Sequence, residues 1–242
     1  KYTKIESLYQ LIIYIKMWMK SNKNNRIEKN RNILLIIAHP DDEAMFFSPF
    51  LNSFPSSCTI SLLCLSTGNF EGLGERRKQE LLHSAHLYGI RTEDVYVVDH
   101  PLLQDSMSIS WPISVVSETV LDILKDVEPD LVVTFDEGGV SGHPNHIATS
   151  RGVVQAVSIY RKFDYNIQCV KLISTNIFRK FLGPLDILCS LVFEEFVVIN
   201  NSHLTTYRSM CAHASQFVWY RRLFIVLSRY SYVNTFVAVK LA

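Results

Sequence analysis

The sequence predicts an α/β fold, with a Rossmann-like, mostly parallel sheet and helices on both faces. Short runs rich in apolar and β-branched residues alternate with longer helical patterns. The strand candidates are apolar at nearly every position, as expected for strands that are buried on both faces. With 242 residues, of which 48% are hydrophobic and 19% charged, the chain is long enough for a large core and is not disordered.

The elements follow one another in the order expected for βαβ units. The candidate strands are Ile33–Ile37, Thr59–Leu65, Val95–Val98, Leu131–Phe135, Val170–Ser174 and Phe196–Ile199. The candidate helices are Glu43–Leu51, Glu75–Tyr88, Ile113–Val127 and His143–Tyr160, followed by further helix over residues 201–230. In that last region, FVWYRRLFIVLSRY is rich in aromatic and basic residues. We favour a packed helix whose Arg221, Arg222 and Arg229 face water over a surface that contacts lipid headgroups.

Residues 1–31 differ in composition from the predicted domain, which spans 32–242. The apolar stretch Leu8–Met19 is interrupted by Lys16 and is shorter than the roughly 20 residues of a confident membrane span. It is interpreted as the remnant of a membrane anchor, an interfacial helix or a helix packed on the domain. A basic, Asn-rich linker follows and, if Leu8–Met19 contacts a bilayer, favours a cytosolic location for the domain.

Charge and cysteine content exclude some classes of function. A net charge of +1 argues against a protein that mainly binds the backbone of nucleic acid. The five cysteines are odd in number and form no C-x-x-C pair, so we expect reduced, buried thiols and neither a disulfide framework nor a cysteine-ligated zinc site.

The first candidate strand leads into AHPDDE, at residues 38–43. Carboxylates this close repel one another and are costly to desolvate without a cation or several hydrogen-bond donors. In isolation, the same residues could simply form a turn and cap the following helix.

A second polar cluster, FDEGGVSGHPNH, follows the fourth candidate strand. Ligands of open α/β sheets bind beyond the carboxyl ends of the strands, so we expect the two loops to meet there. His39 and Asp42, with one histidine of the second loop, would suit a catalytic zinc ion. Zinc lowers the pKa of its water to about 7. Asp41 could then accept a proton from that water, and the remaining histidine could act as a proton donor or stabilise an oxyanion.

These motifs resemble those of the zinc-dependent de-N-acetylases of the LmbE-like family. The resemblance extends from about Asn32 to Tyr230 and rests most specifically on AHPDDEAMFF and LVVTFDEGGVSGHPNH. The blocks STGNFEGLGERRKQELL, NIFRKF and QFVWYRRLFIVLSRY add to it, and the last two are similar to the eukaryotic branch, which acts on N-acetylglucosaminyl-phosphatidylinositol in glycosylphosphatidylinositol (GPI) anchor synthesis.

The resemblance implies a site with distinct roles for its residues. It implies His39, Asp42 and His146 as ligands of zinc or another divalent cation, Asp41 as general base and His143 as general acid or carbonyl-polarising group. It implies that Arg77 binds the phosphoinositol part of the substrate, although a surface salt bridge with Glu80 or Glu75 is an alternative. Asn145 and Ser141 stand where bacterial relatives often carry an acid and a tyrosine, so the oxyanion partner is left open.

The resemblance also implies a glycolipid substrate, contact with a membrane surface and a place at the endoplasmic reticulum membrane, with the catalytic domain facing the cytosol. Two alternative functions are a de-N-acetylase of a soluble N-acetylglucosamine conjugate and a non-catalytic, Rossmann-like binding module. The binding module is disfavoured because the first strand leads into HPDDE and not into a G-x-G-x-x-G turn.

Overall fold

The computed structural model describes residues 31–54, 57–163, 166–194 and 196–240. The predicted segment Leu8–Met19 and most of the linker lie outside these residues. The described chain forms a seven-stranded sheet whose strands are β1 (Asn32–Ile37), β2 (Thr59–Cys64), β3 (Val95–Val97), β4 (Leu131–Phe135), β5 (Gln168–Leu172), β6 (Phe196–Ile199) and β7 (Val233–Ala238).

The strand order is β3-β2-β1-β4-β5-β7-β6. The first five of these strands are mutually parallel, whereas β7 is antiparallel to both β5 and β6. The chain adds strands outward in one direction from β1 to β3 and then returns to add β4 on the other side of β1. The neighbouring ends of β1 and β4 therefore form a topological switch point, where ligands of such sheets bind.

Short and long helices connect the strands. They are α1 (Asp42–Phe46), α2 (Ser48–Leu51), α3 (Gly74–Leu87), α4 (Ile113–Val127), α5 (Gly139–Gly142), α6 (Pro144–Arg161), α7 (Ile177–Lys180), α8 (Asp186–Phe193), α9 (His203–Ala212) and α10 (Trp219–Leu227). Single 3₁₀ turns occur at Asn69–Glu71, Thr92–Asp94, Gly183–Leu185 and Arg229–Ser231. Helix α4 packs on α6, and α3 packs on α9. Parallel crossovers are almost always right-handed, so those on the two sides of β1 place their helices on opposite faces of the sheet. The mostly parallel sheet with its connecting helices confirms the predicted fold class.

The predicted helix Glu43–Leu51 is interrupted, which gives α1 and α2. Pro49 has no N–H group and cannot continue a regular helix. The side chain of Asn234, on β7, enters the interrupted turn: its Nδ2 donates to the Phe46 carbonyl at 2.8 Å, and its Oδ1 accepts from Phe50 N at 3.1 Å. One amide thus satisfies the two backbone groups that an unbroken helix would have paired with each other.

Most strand predictions agree with the structure to within one residue, but three features differ. Strand β5 begins two residues before the predicted segment Val170–Ser174, and β7 was not predicted. Residues 201–230 contain two helices, α9 and α10, separated by a non-helical segment. None of the five cysteines forms a disulfide, but the prediction of buried thiols holds only for Cys64 and Cys169, because Cys58 and Cys189 are half-buried and Cys211 is exposed.

The arginines near α10 were expected to face water, and for two of them this is wrong. Arg229 is fully buried and pairs with Asp186 of α8, while Arg221 extends toward the carboxyl ends of the strands. Only Arg222 is exposed. No helix among the described residues combines the length and the apolar character that crossing a bilayer requires.

A buried ion cluster fixes α8 to the C-terminal part of the fold. The Asp186 carboxylate accepts from the Arg229 guanidinium, from Arg179 Nε at 2.8 Å and from the Ser190 hydroxyl at 2.9 Å. Burial alone would raise the pKa of Asp186, but Arg179 and Arg229 hold that pKa below its ordinary value. Removing the charge of Asp186 would leave Arg229 buried without its counter-ion.

We therefore expect Asp186→Asn to lower the free energy of unfolding by about 3–5 kcal/mol at neutral pH. Because the folded-state pKa of Asp186 is depressed, its contribution is fully present above the unfolded-state pKa of about 4 and is lost as the pH falls through the folded-state pKa. Urea unfolding at several pH values measures both effects. The control is Asp122→Asn, in the exposed pair with Lys125, and an equal effect of the two substitutions would contradict the role of the cluster.

Candidate active site

The two predicted loops meet at the switch point of the sheet. The AHPDDE loop leaves the carboxyl end of β1 and leads into α1, and the GHPNH segment follows β4 and begins α6. They line an open cavity of about 400 Å³. This volume lies within the range of roughly 300–1,000 Å³ that is usual for small-molecule sites.

The imidazole rings of three histidines lie close together in this cavity. One ligand atom each from His39, His143 and His146 lies within 4.8 Å of the others. Burial lowers the pKa of His39, and burial together with His146 lowers the pKa of His143 to about 4. At neutral pH both rings are therefore neutral, the form in which imidazole binds metal ions.

Asp42 joins the histidine group from the first loop. Its Oδ1 lies 3.2 Å from His146 Nε2, and its Oδ2 lies 3.7 Å from His39 Nδ1. The same Oδ2 accepts hydrogen bonds from the backbone N–H groups of Ala38 and His39, at 3.1 and 2.8 Å. Burial acts to raise the pKa of Asp42, but the nearby imidazoles and the His39 N–H bring that pKa below its ordinary value, so the side chain is a carboxylate.

Hydrogen bonds distinguish the two histidines of the second loop. His146 Nδ1 lies 3.1 Å from the Gly139 carbonyl oxygen, which can only accept, so the proton of the neutral ring sits on Nδ1 and Nε2 is left as a free lone pair. His143 has the opposite tautomer: its Nδ1 accepts from Asn145 N at 3.2 Å and caps α6. The proton of neutral His143 is therefore on Nε2, which can donate.

Asp41 has a constrained backbone. Its φ of 115° is in a region that residues other than glycine rarely adopt. Its N–H donates to Glu43 Oε2 at 3.2 Å, and the other oxygen of the fully buried Glu43 carboxylate contacts His213 Nε2 at 2.5 Å. The pair of Glu43 with His213, from the segment between α9 and α10, thus supports the conformation of Asp41.

Two guanidinium groups face the Asp41 carboxylate. Arg221 Nη2 lies 3.1 Å from Oδ2, and Arg77 Nη2 lies 3.6 Å from Oδ1. Arg221 is oriented by Gln216, whose side-chain oxygen accepts from Nη1 at 2.7 Å. Burial raises the pKa of Asp41, and Arg221 and Arg77 oppose that increase without cancelling it.

Arg77 lies on the cavity wall but is largely bound to the protein. It donates to the carbonyl oxygens of Pro40 and Gly68, at 2.7 and 2.8 Å, and to Asp105 at 3.2 Å. A Cβ added at Gly68 would lie 2.5 Å from its guanidinium, so the two groups pack closely. The alternative of a surface salt bridge is wrong for Arg77: it is the neighbouring Arg76 that pairs with Glu80.

The structure also adds residues that were not singled out from the sequence. Asp105, in the loop after β3, lies 3.3 Å from His39 Nε2. The signal for Asp105 was its position after the carboxyl end of a strand, and that for Arg221 was the basic and aromatic WYRRL segment. In contrast, Asp136 and Glu137 lie away from the cluster, because Asp136 caps the turn after β4 and Glu137 pairs with Lys171.

The donor set fits a divalent cation. The buried atoms His39 Nε2 and His146 Nε2 have no hydrogen-bond partner among the described residues. Buried polar atoms without a hydrogen-bond partner are costly, and a bound cation would satisfy them. Two imidazoles and one carboxylate form a set that zinc binds readily in catalytic sites.

Comparisons with other proteins identify the family to which the chain is similar. Residues 34–157 match the family described as PIG-L, GlcNAc-PI de-N-acetylase. A protein of Dictyostelium discoideum called probable N-acetylglucosaminyl-phosphatidylinositol de-N-acetylase is 35% identical, over 93% of this chain and 100% of its own length. The N-acetylglucosaminyl-phosphatidylinositol de-N-acetylase of Bos taurus is 38% identical, over 84% of this chain and 81% of its own length.

Solved structures share the fold at low sequence identity. The N,N'-diacetylchitobiose deacetylase of Pyrococcus horikoshii superposes with a TM-score of 0.64 at 16% identity, covering 87% of this chain and 84% of its own. A zinc-inhibited form of the teicoplanin deacetylase Orf2 gives a TM-score of 0.57 at 11% identity, covering 87% of this chain and 99% of its own. The fold, the motifs and the relatives agree: this chain belongs to the PIG-L family of GlcNAc-PI de-N-acetylases.

Proposed function

We propose that this chain removes the acetyl group from N-acetylglucosaminyl-phosphatidylinositol, in GPI-anchor biosynthesis. The observation that carries the proposal is the convergence of Asp42, His39 and His146, with Asp41 beside them, in an open cavity at the switch point. The names of the relatives supply the substrate. The reaction class is hydrolysis of a linear amide by a metal-dependent enzyme.

Zinc, or another divalent cation, would be held by His39, Asp42 and His146. The free lone pair of His146 and the carboxylate state of Asp42 support this set, while the tautomer of His143 supports a different role for that ring. When bound, the ion would lower the pKa of a water and polarise the acetamide carbonyl.

Side chains of the protein would accept and donate the protons of the reaction. Asp41 would accept a proton from the attacking water, and the raised pKa of its carboxyl group makes it a stronger base than an ordinary aspartate. His143 Nε2–H would donate to the carbonyl oxygen as charge develops there, or to the departing amine. Arg221 and Arg77 would hold the Asp41 carboxylate in place, and the internal contacts of Arg77 favour this role over direct contact with phosphoinositol.

An enzyme with a lipid-linked substrate must reach that substrate at a membrane surface. We propose that the domain works at the endoplasmic reticulum membrane, on its cytosolic side. The names of the relatives, which refer to a phosphatidylinositol glycolipid, and the basic linker before β1 support this location. A soluble N-acetylglucosamine conjugate is the second candidate substrate, since the open cavity would also admit it.

The test of the function is acetate release from N-acetylglucosaminyl-phosphatidylinositol and from its water-soluble glycan headgroup. We expect release from the lipid-linked substrate, loss of activity with a chelator and recovery when zinc is restored. Turnover that withstands complete metal removal would contradict the metal assignment. Exclusive use of soluble conjugates would favour the second candidate.

Asp41 and His146 should separate catalysis from metal binding. We expect Asp41→Asn to retain the metal and to lose turnover by about 10²–10⁴-fold, because it lacks the proton acceptor. We expect His146→Ala to lose the metal itself. Elemental analysis together with acetate release measures both, and equal metal loss in the two variants would show that Asp41 is a ligand.

His143→Asn tests the donor role of His143. An asparagine can still accept the Asn145 N–H as the cap of α6, so thermal stability should stay near that of the parent protein. Turnover should fall by about 10²–10³-fold with the metal retained, because the Nε2–H donor is lost. Metal loss in this variant would instead identify His143 as a ligand.

Arg221→Met tests the group that holds Asp41. We expect turnover of the soluble headgroup to fall roughly ten- to a hundredfold, since a poorly oriented base reacts slowly, while metal content stays unchanged. Arg222→Met, an exposed neighbour on the same helix, is the matched control and should keep full turnover. Equal losses in the two variants would indicate a general effect on α10.

A further inference from the structure

Helix α10 is apolar on its outer side as well as on its inner side. Ile225 is fully buried against the fold, yet Trp219, Leu223 and Val226 point outward and are 72%, 51% and 54% exposed. A helix on the surface of a soluble domain normally has a polar outer face. We call the exposed residues Val218, Trp219, Tyr220, Leu223, Val226 and Leu227 the α10 outer face.

The apolar surface continues beyond α10. Phe181 packs edge-on against Phe224 of α10 with ring centroids 6.3 Å apart, and Gly183 lies against the Leu227 carbonyl. Around these contacts, Phe178, Phe181 and Leu185 are themselves exposed. Exposed apolar residues from two separate segments therefore adjoin one another, and such patches mark interaction sites.

The charges of this region are suited to a lipid surface. Helix α10 carries Arg221 and Arg222 but no acidic residue, and Lys180 lies 5.6 Å from the ring centre of Phe224. Tryptophan, tyrosine and arginine are the residues that prefer the boundary between lipid headgroups and acyl chains. Anionic lipids would add an attraction for the exposed basic groups.

The α10 outer face also adjoins the mouth of the cavity. Tyr220 belongs to this face and lines the cavity together with Arg221. Phe70 and Met107 line the same cavity and are 75% and 71% exposed. A substrate whose acyl chains stay in a bilayer could thus present its sugar to the site only if this side of the domain meets the membrane.

We propose that the α10 outer face docks on the surface of a bilayer that contains anionic lipid, with the cavity mouth facing the headgroups. The inference rests on the proposed function and extends it by naming the surface through which a lipid-linked substrate is reached. The side chains of Trp219 and Leu223 enter the headgroup region, and Arg222 contacts anionic headgroups.

The decisive experiment is quenching of Trp219 fluorescence by brominated lipid, in vesicles of phosphatidylcholine and phosphatidylserine. The difference between the full chain and its Trp219→Phe variant isolates this residue from Trp18 and the buried Trp111. We expect clear quenching of the Trp219 signal. Because the measurement reports on Trp219 itself, membrane contact elsewhere in the chain cannot imitate it, and an unquenched signal overturns the proposal.

A second measurement uses the double variant Trp219→Ser/Leu223→Ser. We expect its activity on the lipid-linked substrate in vesicles to fall by roughly tenfold or more, since two apolar anchors are lost. Its turnover of the soluble headgroup should be unchanged. The matched control is Phe163→Ser, because Phe163 is also exposed but lies between α6 and β5, at the amino ends of the strands and away from the cavity.

The remaining outcomes identify other occupants of the surface. A lower thermal stability of the double variant without vesicles would show that another part of the chain covers α10, and a smaller particle size would show contact between two copies. Either result, with no quenching, overturns docking on lipid. If neither substrate releases acetate while Trp219 is still quenched, it is the proposed function that fails and not the docking surface.

Discussion

Three consecutive carboxylates at the end of a buried strand are the constraint on which the site depends. Residues 41–43 are each nearly inaccessible to solvent, so each charge needs a partner brought by the fold. His146 from the second loop lies beside Asp42, where the two can share a cation, and Arg221 and His213 from the C-terminal part of the chain face Asp41 and Glu43. The parallel pairing of β1 with β4 brings His146 into reach, and packing of the C-terminal segment brings Arg221 and His213. Assembly of the fold and assembly of the site are thus the same event.

The imidazole rings near this loop show how backbone contacts give similar side chains different chemistry. His146 donates to a carbonyl oxygen and keeps on Nε2 a lone pair that could bind a cation beside Asp42, whereas His143 accepts a backbone N–H and carries its proton on Nε2. A three-residue offset at the start of α6 is enough to produce this difference. In histidines generally, the hydrogen bond made by one ring nitrogen determines whether the other nitrogen carries the proton.

Much of the fold and the core of the site could be predicted from the sequence because they depend on local patterns. The parallel strands are continuous apolar runs, and the two polar loops follow directly on them. Strand β7 was missed because Asn234 and Thr235 are polar yet buried, and only partners distant in the chain make that burial favourable. Arg221 and Asp105 were missed for a related reason: short, charged segments do not indicate which strand end they will reach.

The bridge that Asn234 makes between α1 and α2 has a consequence for how the protein forms. Phe46 O and Phe50 N lie more than 180 residues upstream of the amide that satisfies them, and each would cost about 1–3 kcal/mol if it stayed buried and unpaired. Closing so long a loop is slow, because the chain loses conformational entropy before the hydrogen bonds of Asn234 can form. During synthesis on the ribosome, the segment that carries Asp41, Asp42 and Glu43 would therefore stay loosely ordered until β7 has emerged, and a half-made chain would lack a formed cavity.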